Sequence, residues 1–415
     1  MKQDQEQNPG LKQLFVARSR SLCSWVKANQ QHLSSSSSLL LSSSSSSSSL
    51  LLSLSYDETN NNHIDYFIWK EFLNKMSQSI TTSNTTSNTT SNTTSKMFIL
   101  NKERYVSYNK FKNDIWLKLI TKLNKRLINN ITLSPNIVWI QIQSFLKGSI
   151  EVIIDNNFNI LKEEQYLNMS IFPKDRCKLT QQQRKEAYIL FEIYQELLYE
   201  MKLWDDSDKV IDILKRFGSD IYSNRHSFNH HHHQNHHQNH HHQNHHHHQM
   251  HYDKIYVDEI QDFSQIETLL FFIATGLDDS SLFMVGDTAQ SVEDGRVFRF
   301  EEIRSIVHKI SNGTKTISKP FKLQTNFRSH TGILEVAASV LDRLFLAFPV
   351  SSSAHTTDEG VFVGPRPEFY PCSYTTDVND DDNNDVELVR NLISVNQRLM
   401  ILTPESNIDR MNLFY

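Results

Sequence analysis

An α/β fold around a parallel sheet is predicted for this sequence, and three observations lead there. Two short apolar runs, Lys254 to Val257 and Ser281 to Val285, each stop abruptly at polar residues. Buried parallel strands do this where they deliver side chains to the crevice beyond their carboxyl ends. Apolar residues at helical spacing fill segments before and after these runs. Much of the remaining sequence is polar and strongly biased in composition.

The chain has 415 residues, room for two or three domains at roughly 150 residues each. That count overstates the foldable part, because only 38% of the residues are hydrophobic. Residues 34–55 are serine interrupted by leucine, 81–95 repeat Thr-Thr-Ser-Asn, and 229–249 are His, Asn and Gln. These low-complexity tracts lack the mixed apolar pattern that offsets the entropy of ordering, so they are expected to be disordered. A formal net charge of -5 excludes a histone-like basic chain and leaves room for one local basic groove. Cys23, Cys177 and Cys372 are scattered, which excludes a disulfide framework and a cysteine-rich zinc site and points to a reducing compartment. Serines interrupt the leucines near Leu39 and Leu50 before a membrane span of about 18 apolar residues is reached. The opening Met-Lys-Gln-Asp-Gln-Glu lacks the apolar core of a secretory signal. An intracellular protein of nucleus or cytoplasm, with no membrane partner, is the expectation.

Residues 1–95 read as a low-complexity, mostly disordered tail, with one short helix around Tyr66 to Leu73. Residues 96–228 read as a helical region. In it Phe111, Ile115, Leu119, Leu123 and Leu127 share one helix face with Trp116 beside them. Lys110, Lys112, Lys118, Lys122, Lys125 and Arg126 occupy the other, which suits either a phosphate backbone or plain solvent. Ile137 to Phe145 is a second apolar segment, stopped by Lys147-Gly148. Thr180 and Gln183 form a capping box ahead of Ala187, Leu190, Phe191, Tyr194, Leu197, Leu198 and Met201, the clearest helical period in the chain. Trp204-Asp205-Asp206-Ser207-Asp208 reads as a cap turn before Val210 to Leu214; the three acids are also metal-ligand types, with capping as their default use. The insertion at 229–250 offers imidazoles without the ordered spacing of a structural zinc site and reads as an expanded surface loop. Residues 251–350 hold both strand runs, and 351–415 a linker and the start of a further domain.

Asp258 and Glu259 follow the first run directly. At a strand end, one carboxylate can hold Mg2+ through the ion's water shell and the next can polarise an attacking water, the two Walker B tasks. Two exposed acids at a helix start look the same in sequence. The second run leads into Gly286-Asp287-Thr288-Ala289-Gln290, where glycine permits a tight turn and Asp and Gln bring polar groups to the same sheet edge. Further along, Gln324-Thr325-Asn326-Phe327-Arg328-Ser329 precedes an apolar helix from Ile333 to Leu346. An aromatic such as Phe327 can stack on a base and a guanidinium such as Arg328 can neutralise phosphate charge. Core packing and a surface ion pair are the ordinary uses of the same residues.

Together these segments resemble the UvrD/Rep-like superfamily 1 helicases. Val257 to Asp262 is similar to the DExQD box, Gly286 to Ser291 to motif III, and Gln324 to Ser329 to motif IV, usually written Q-N-Y-R-S. Trp204 to Leu214 is similar to the family's D-F-D-D-L element. The pattern from Tyr105 to Gly364 looks closest to the large eukaryotic branch that includes TPR-and-ankyrin-repeat-containing proteins. The resemblance implies an incomplete RecA-like P-loop NTPase fold that binds ATP and Mg2+ and acts on single-stranded DNA or RNA. By the same resemblance Asp258 holds Mg2+, Glu259 activates the hydrolytic water, Gln261 and Gln290 sense the γ-phosphate, Phe327 stacks on adenine and Arg328 contacts the γ-phosphate. Where motif III usually continues Ser-Ile-Tyr with a base-stacking aromatic, this chain reads Ser291-Val292-Glu293.

One signature is missing. None of the ten glycines is followed by lysine, so G-x-x-x-x-G-K-[ST], whose amides and lysine cradle the phosphates, does not occur. The later family motifs are also absent, and Met400-Ile401-Leu402 reads like the opening strand of a second RecA-like domain. Three accounts stand at this point. The chain is part of a helicase-like ATPase and inactive alone, or a pseudo-helicase that binds nucleic acid or protein without turnover. In the third, Asp258, Glu259 and Asp262 form a metal-dependent nuclease site.

Overall fold

Strands β1 (Gln13–Ala17), β2 (Ile64–Ile68), β3 (Lys254–Val257) and β4 (Leu282–Met284) form one parallel sheet in the order β2-β1-β3-β4. The computed structural model that shows it describes residues 1–8, 10–40, 64–81, 102–125, 131–172, 176–217, 250–290, 295–297, 299–347 and 358–365. The expectations for residues 41–63, 82–95, 229–249, 291–293 and 400–402 lie outside these.

The sheet corrects the reading of residues 1–95 as mostly a disordered tail. Gln13–Ala17 is a central strand with all five residues buried, standing opposite Ile64–Ile68 on one side and residues 254–257 on the other. Helix α1 (Arg20–Leu40) follows β1, and β2 runs directly into helix α2 (Trp69–Thr81). Tyr66 and Phe67, expected in a helix, belong to β2. A buried strand of five residues carries no alternation to mark it, and its neighbours are remote in sequence. The amide of Lys12, for instance, donates to the Asp253 carboxylate at 2.8 Å across 241 residues.

The helical region follows its sequence reading closely. The chain is helical from Tyr108 through α3 (Trp116–Lys125), with a wider π turn over Phe111–Ile115, and Phe111, Ile115, Leu119 and Leu123 are buried. On the basic face, Lys122 pairs with Glu200 at 2.6 Å and Glu196 at 3.7 Å. Helix α4 (Pro135–Ile140) continues into a buried π turn over Gln141–Leu146. Helix α5 (Gln181–Met201) starts at the expected capping box: Thr180 Oγ1 accepts the Gln183 amide at 3.3 Å, and Gln183 Oε1 accepts the Thr180 amide at 3.0 Å. Helix α6 (Asp206–Arg216) starts at a second box between Asp205 and Asp208. Those two acids also receive the buried Lys147 ammonium, at 2.7 and 2.6 Å. Capping and charge pairing therefore account for them, and the helix-stop lysine supplies their counter-charge.

Helix α7 (Gln265–Ala274), capped by Ser264 with Glu267, and helix α8 (Phe300–Ile310) complete this unit. Trp69 packs edge-on to Phe263 and Phe271 at 5.1 and 5.7 Å between ring centres, which joins α2 to the segment just beyond β3. Edge-to-face pairs at this spacing add to plain area burial.

Residues 322–415 form a second unit. In it β5 (Thr325–Asn326) pairs in parallel with β6 (Glu359–Gly360), and helix α9 (Thr331–Ala347) follows β5. The division at 321/322 places Phe327 and Arg328 in the second unit, where the sequence reading had them with residues 251–350.

Candidate active site

All four strands of the sheet run the same way, so their carboxyl ends share one edge. There β3 delivers Asp258 and Glu259, β1 delivers Arg18, and β4 leads into Gly286 to Gln290. The Asp258 amide donates to the Val16 carbonyl at 3.1 Å, which seats the first acid against the central strand. Its Oδ1 accepts the Glu259 amide at 2.9 Å. Glu259 has φ +55°, ψ +46°, a left-handed conformation that costs a residue with a Cβ roughly 1 kcal/mol and persists only where neighbours enforce it. The neighbours are visible: Val285 N donates to the Val257 carbonyl at 2.9 Å and Ile260 N to the Val285 carbonyl at 3.0 Å. Pairing between the two strands thus continues past the turn. Both acids are half-buried.

Gln261 is fully buried. Its Nε2 donates to the Glu259 carboxylate, and its Oε1 accepts the Asp287 amide at 3.0 Å. Gly286 makes room for this: a Cβ there would stand 2.3 Å from Gln261 Oε1 and 2.9 Å from Ile260 Cγ2. The Asp287 carboxylate closes the next turn, accepting the Ala289 amide at 2.9 Å and Gln290 Nε2 at 2.8 Å. Gln290 itself is exposed. The structure therefore brings Asp258, Glu259, Gln261 and Gln290 to one edge of one sheet.

The donor set fits Mg2+, which is usually held by one or two carboxylates with waters and phosphate oxygens rather than by a protein cage. Asp258 meets that number, which leaves the Glu259 carboxylate for the attacking water. Among the described residues no three His, Cys, Asp or Glu side chains converge as a metal cluster, and Asp262 is buried beneath the turn. For the phosphates the fit is incomplete, since the sequence has no glycine–lysine cradle.

A charged brace behind the site escaped the sequence reading. Glu267 is completely buried, and its Oε1 lies 3.0 Å from both Arg18 Nη2 and Arg296 Nη2. The Arg18 guanidinium also sits 4.6 Å over the Phe263 ring. Burial opposes ionisation of Glu267, but the two guanidiniums and the Ser264 amide outweigh it and hold the carboxyl down to about 2. The local signal, Ser264 three residues before Glu267, marks a cap. Nothing local points to Arg18, 249 residues away.

In the second unit, Asn326 Oδ1 accepts the amides of Arg328 and Ser329 at 3.0 and 2.9 Å. This side-chain turn presents Phe327, 80% exposed, and Arg328, also exposed.

A model of the UvrD/REP helicase N-terminal domain matches residues 21–304, more than half of the chain. This chain belongs to that family. The UvrD-type assignment agrees with the parallel sheet and flanking helices and makes the fold RecA-like. The human TPR and ankyrin repeat-containing protein 1 is 34% identical over 281 residues, which is 66% of this chain and 8% of that protein. The chain thus spans a small fraction of the relative's length. The UvrD/REP match ends before residues 324–329, so their motif IV reading stands on those residues alone. Among the described residues no helix is long and apolar enough to cross a membrane.

Proposed function

We propose that these residues are the Mg2+ and water-activating part of a UvrD-like ATPase, and that the full-length protein couples ATP hydrolysis to movement along single-stranded DNA or RNA inside the cell. The observation that supports this reading best is the shared edge at which Asp258 and Glu259 meet the Asp287–Gln290 turn. Bound Mg2+·ATP would supply a phosphoryl group whose negative charge the ion offsets. On that reading Asp258 would hold the ion and Glu259 would accept a proton from the attacking water. By the family resemblance Gln290 would sense the γ-phosphate; the same resemblance would give Phe327 and Arg328, which belong to the second unit, the adenine-stacking and γ-phosphate roles.

Without the phosphate cradle the 415-residue chain alone is expected to turn over ATP negligibly, since that loop provides both binding and charge neutralisation. The test is an ATPase assay with and without single-stranded DNA. DNA-stimulated turnover that is lost in Glu259→Gln would overturn the inactivity. The missing cradle also supports a second reading, a pseudo-helicase that binds nucleic acid or a protein without turnover. Tight, salt-dependent binding of single-stranded DNA by this chain, unaffected by Asp258→Ala, would favour it.

A further inference from the structure

Gln261 invites comparison with Gln290. Both are glutamines at the same sheet edge, yet Gln290 is exposed and Gln261 has no exposed surface. Each end of the Gln261 amide already has a partner. The Asp287 amide can only donate, so it must meet the oxygen; a carboxylate can only accept, so Glu259 must meet the nitrogen. The orientation of the side chain follows from its partners' chemistry. Gly286 is the one residue type that lets the oxygen approach this closely. Glu259, meanwhile, holds a left-handed backbone that needs enforcement.

We infer that Gln261 is a positioning residue: its amide is a strut between the Glu259 carboxylate and the backbone of the Asp287–Gln290 turn, so that both move as one body. The strut is a statement about this chain's own geometry, and its meaning for catalysis rests on the ATPase reading above. It assigns Gln261 a role separate from direct contact with a phosphate, and it makes Gly286 part of the same device. A shift of the Gln290 turn would reach the Glu259 carboxylate through one side chain, and the reverse.

Amide hydrogen exchange on the 415-residue chain tests it. Gln261→Leu removes both bonds, and exchange at Asp287 should become roughly tenfold faster, the effect of losing about one buried hydrogen bond. Gly286→Ala should do the same by displacing Oε1. Gln261→Glu keeps an oxygen for the Asp287 amide, so Asp287 should stay protected while exchange at Glu259 and Ile260 accelerates under like-charge repulsion. A residue that merely fills space predicts the opposite ranking, with buried Glu the worst variant at Asp287 and Leu the mildest. That ranking would overturn the strut, as would unchanged Asp287 exchange in Gln261→Leu. If Gln261→Leu does not fold, Gly286→Ala decides in the same way. Mn2+ added to the wild-type chain examines the metal reading separately. Paramagnetic broadening centred on Asp258 supports that reading; its absence removes the metal role and leaves the strut standing.

Discussion

The turn after β3 and the turn before α9 both present candidate site residues, but they are held by different means. Asp258 and Glu259 are tied to β1 through Val16, to β4 through Val285, and to the following turn through Gln261. Phe327 and Arg328 ride on a turn closed by the Asn326 side chain, which accepts amides two and three residues further on and donates to the Asp358 carboxylate at 3.2 Å. The first turn is positioned by long-range structure and carries a strained backbone. The second rests on a two-residue strand pair with residues 359–360 and leaves its functional candidates exposed. Preorganised carboxylates suit chemistry that must not wait for reorganisation, whereas an exposed ring and guanidinium suit contacts completed by a ligand.

Val16→Asp strikes the first turn hardest. It buries an unpaired carboxylate in the central strand and should cost more than about 4 kcal/mol, enough to abolish cooperative unfolding. A normal denaturation curve would show that β1 is dispensable and that the first turn stands on local structure after all. Glu267→Gln comes next. It leaves Arg18 and Arg296 without their shared counter-charge, at an expected cost of about 3 kcal/mol by chemical denaturation.

The same acid sets a pH limb. Glu267 and Glu151 are both held down to about 2 from the ordinary 4.5. For each, burial opposes the shift and paired cations prevail, Arg176 and Lys309 in the case of Glu151. A depressed carboxyl contributes stability that is complete above the unfolded-state value and lost as pH falls toward the folded one. Stability should therefore decline between about pH 4.5 and 2, with a shallower decline in Glu267→Gln. An identical limb in that variant would remove Glu267 from the account.

The second turn should respond weakly. Asn326→Ala gives up two accepted amide bonds and an exposed bond to Asp358, and should cost about 1 kcal/mol within its own unit, as lost caps do. Phe327→Ala and Arg328→Ala, changing exposed groups, should stay within about 0.5 kcal/mol. A larger loss in either would mean that the second turn is packed as the first one is.

Features set by near neighbours were the easiest to read from sequence. The Thr180–Gln183 cap, the apolar face from Phe111 to Leu123, and the two strand runs with their polar ends are all encoded within a few residues. The placement of Asp258 and Glu259 at a strand end followed from the same local logic. β1 and β2 escaped because parallel pairing is decided by partners up to 241 positions away, and a five-residue run has no period of its own. The Glu267 brace and the burial of Gln261 escaped for the same reason. Glutamine in a polar segment reads as a surface group until the fold shows that an amide and a carboxylate stand on either side of it.

The place of β1 in the sheet also bears on synthesis. Residues Gln13 to Val16 pair with β2, which follows soon in the chain, but leave the ribosome some 240 residues before β3, their inner partner. At roughly 5 to 20 residues per second, the nascent chain carries that apolar segment for about 12 to 48 seconds without its inner partner. Through that interval Leu14, Phe15 and Val16 are available to chaperones and to other chains. The half of the sheet made first is therefore the half that waits.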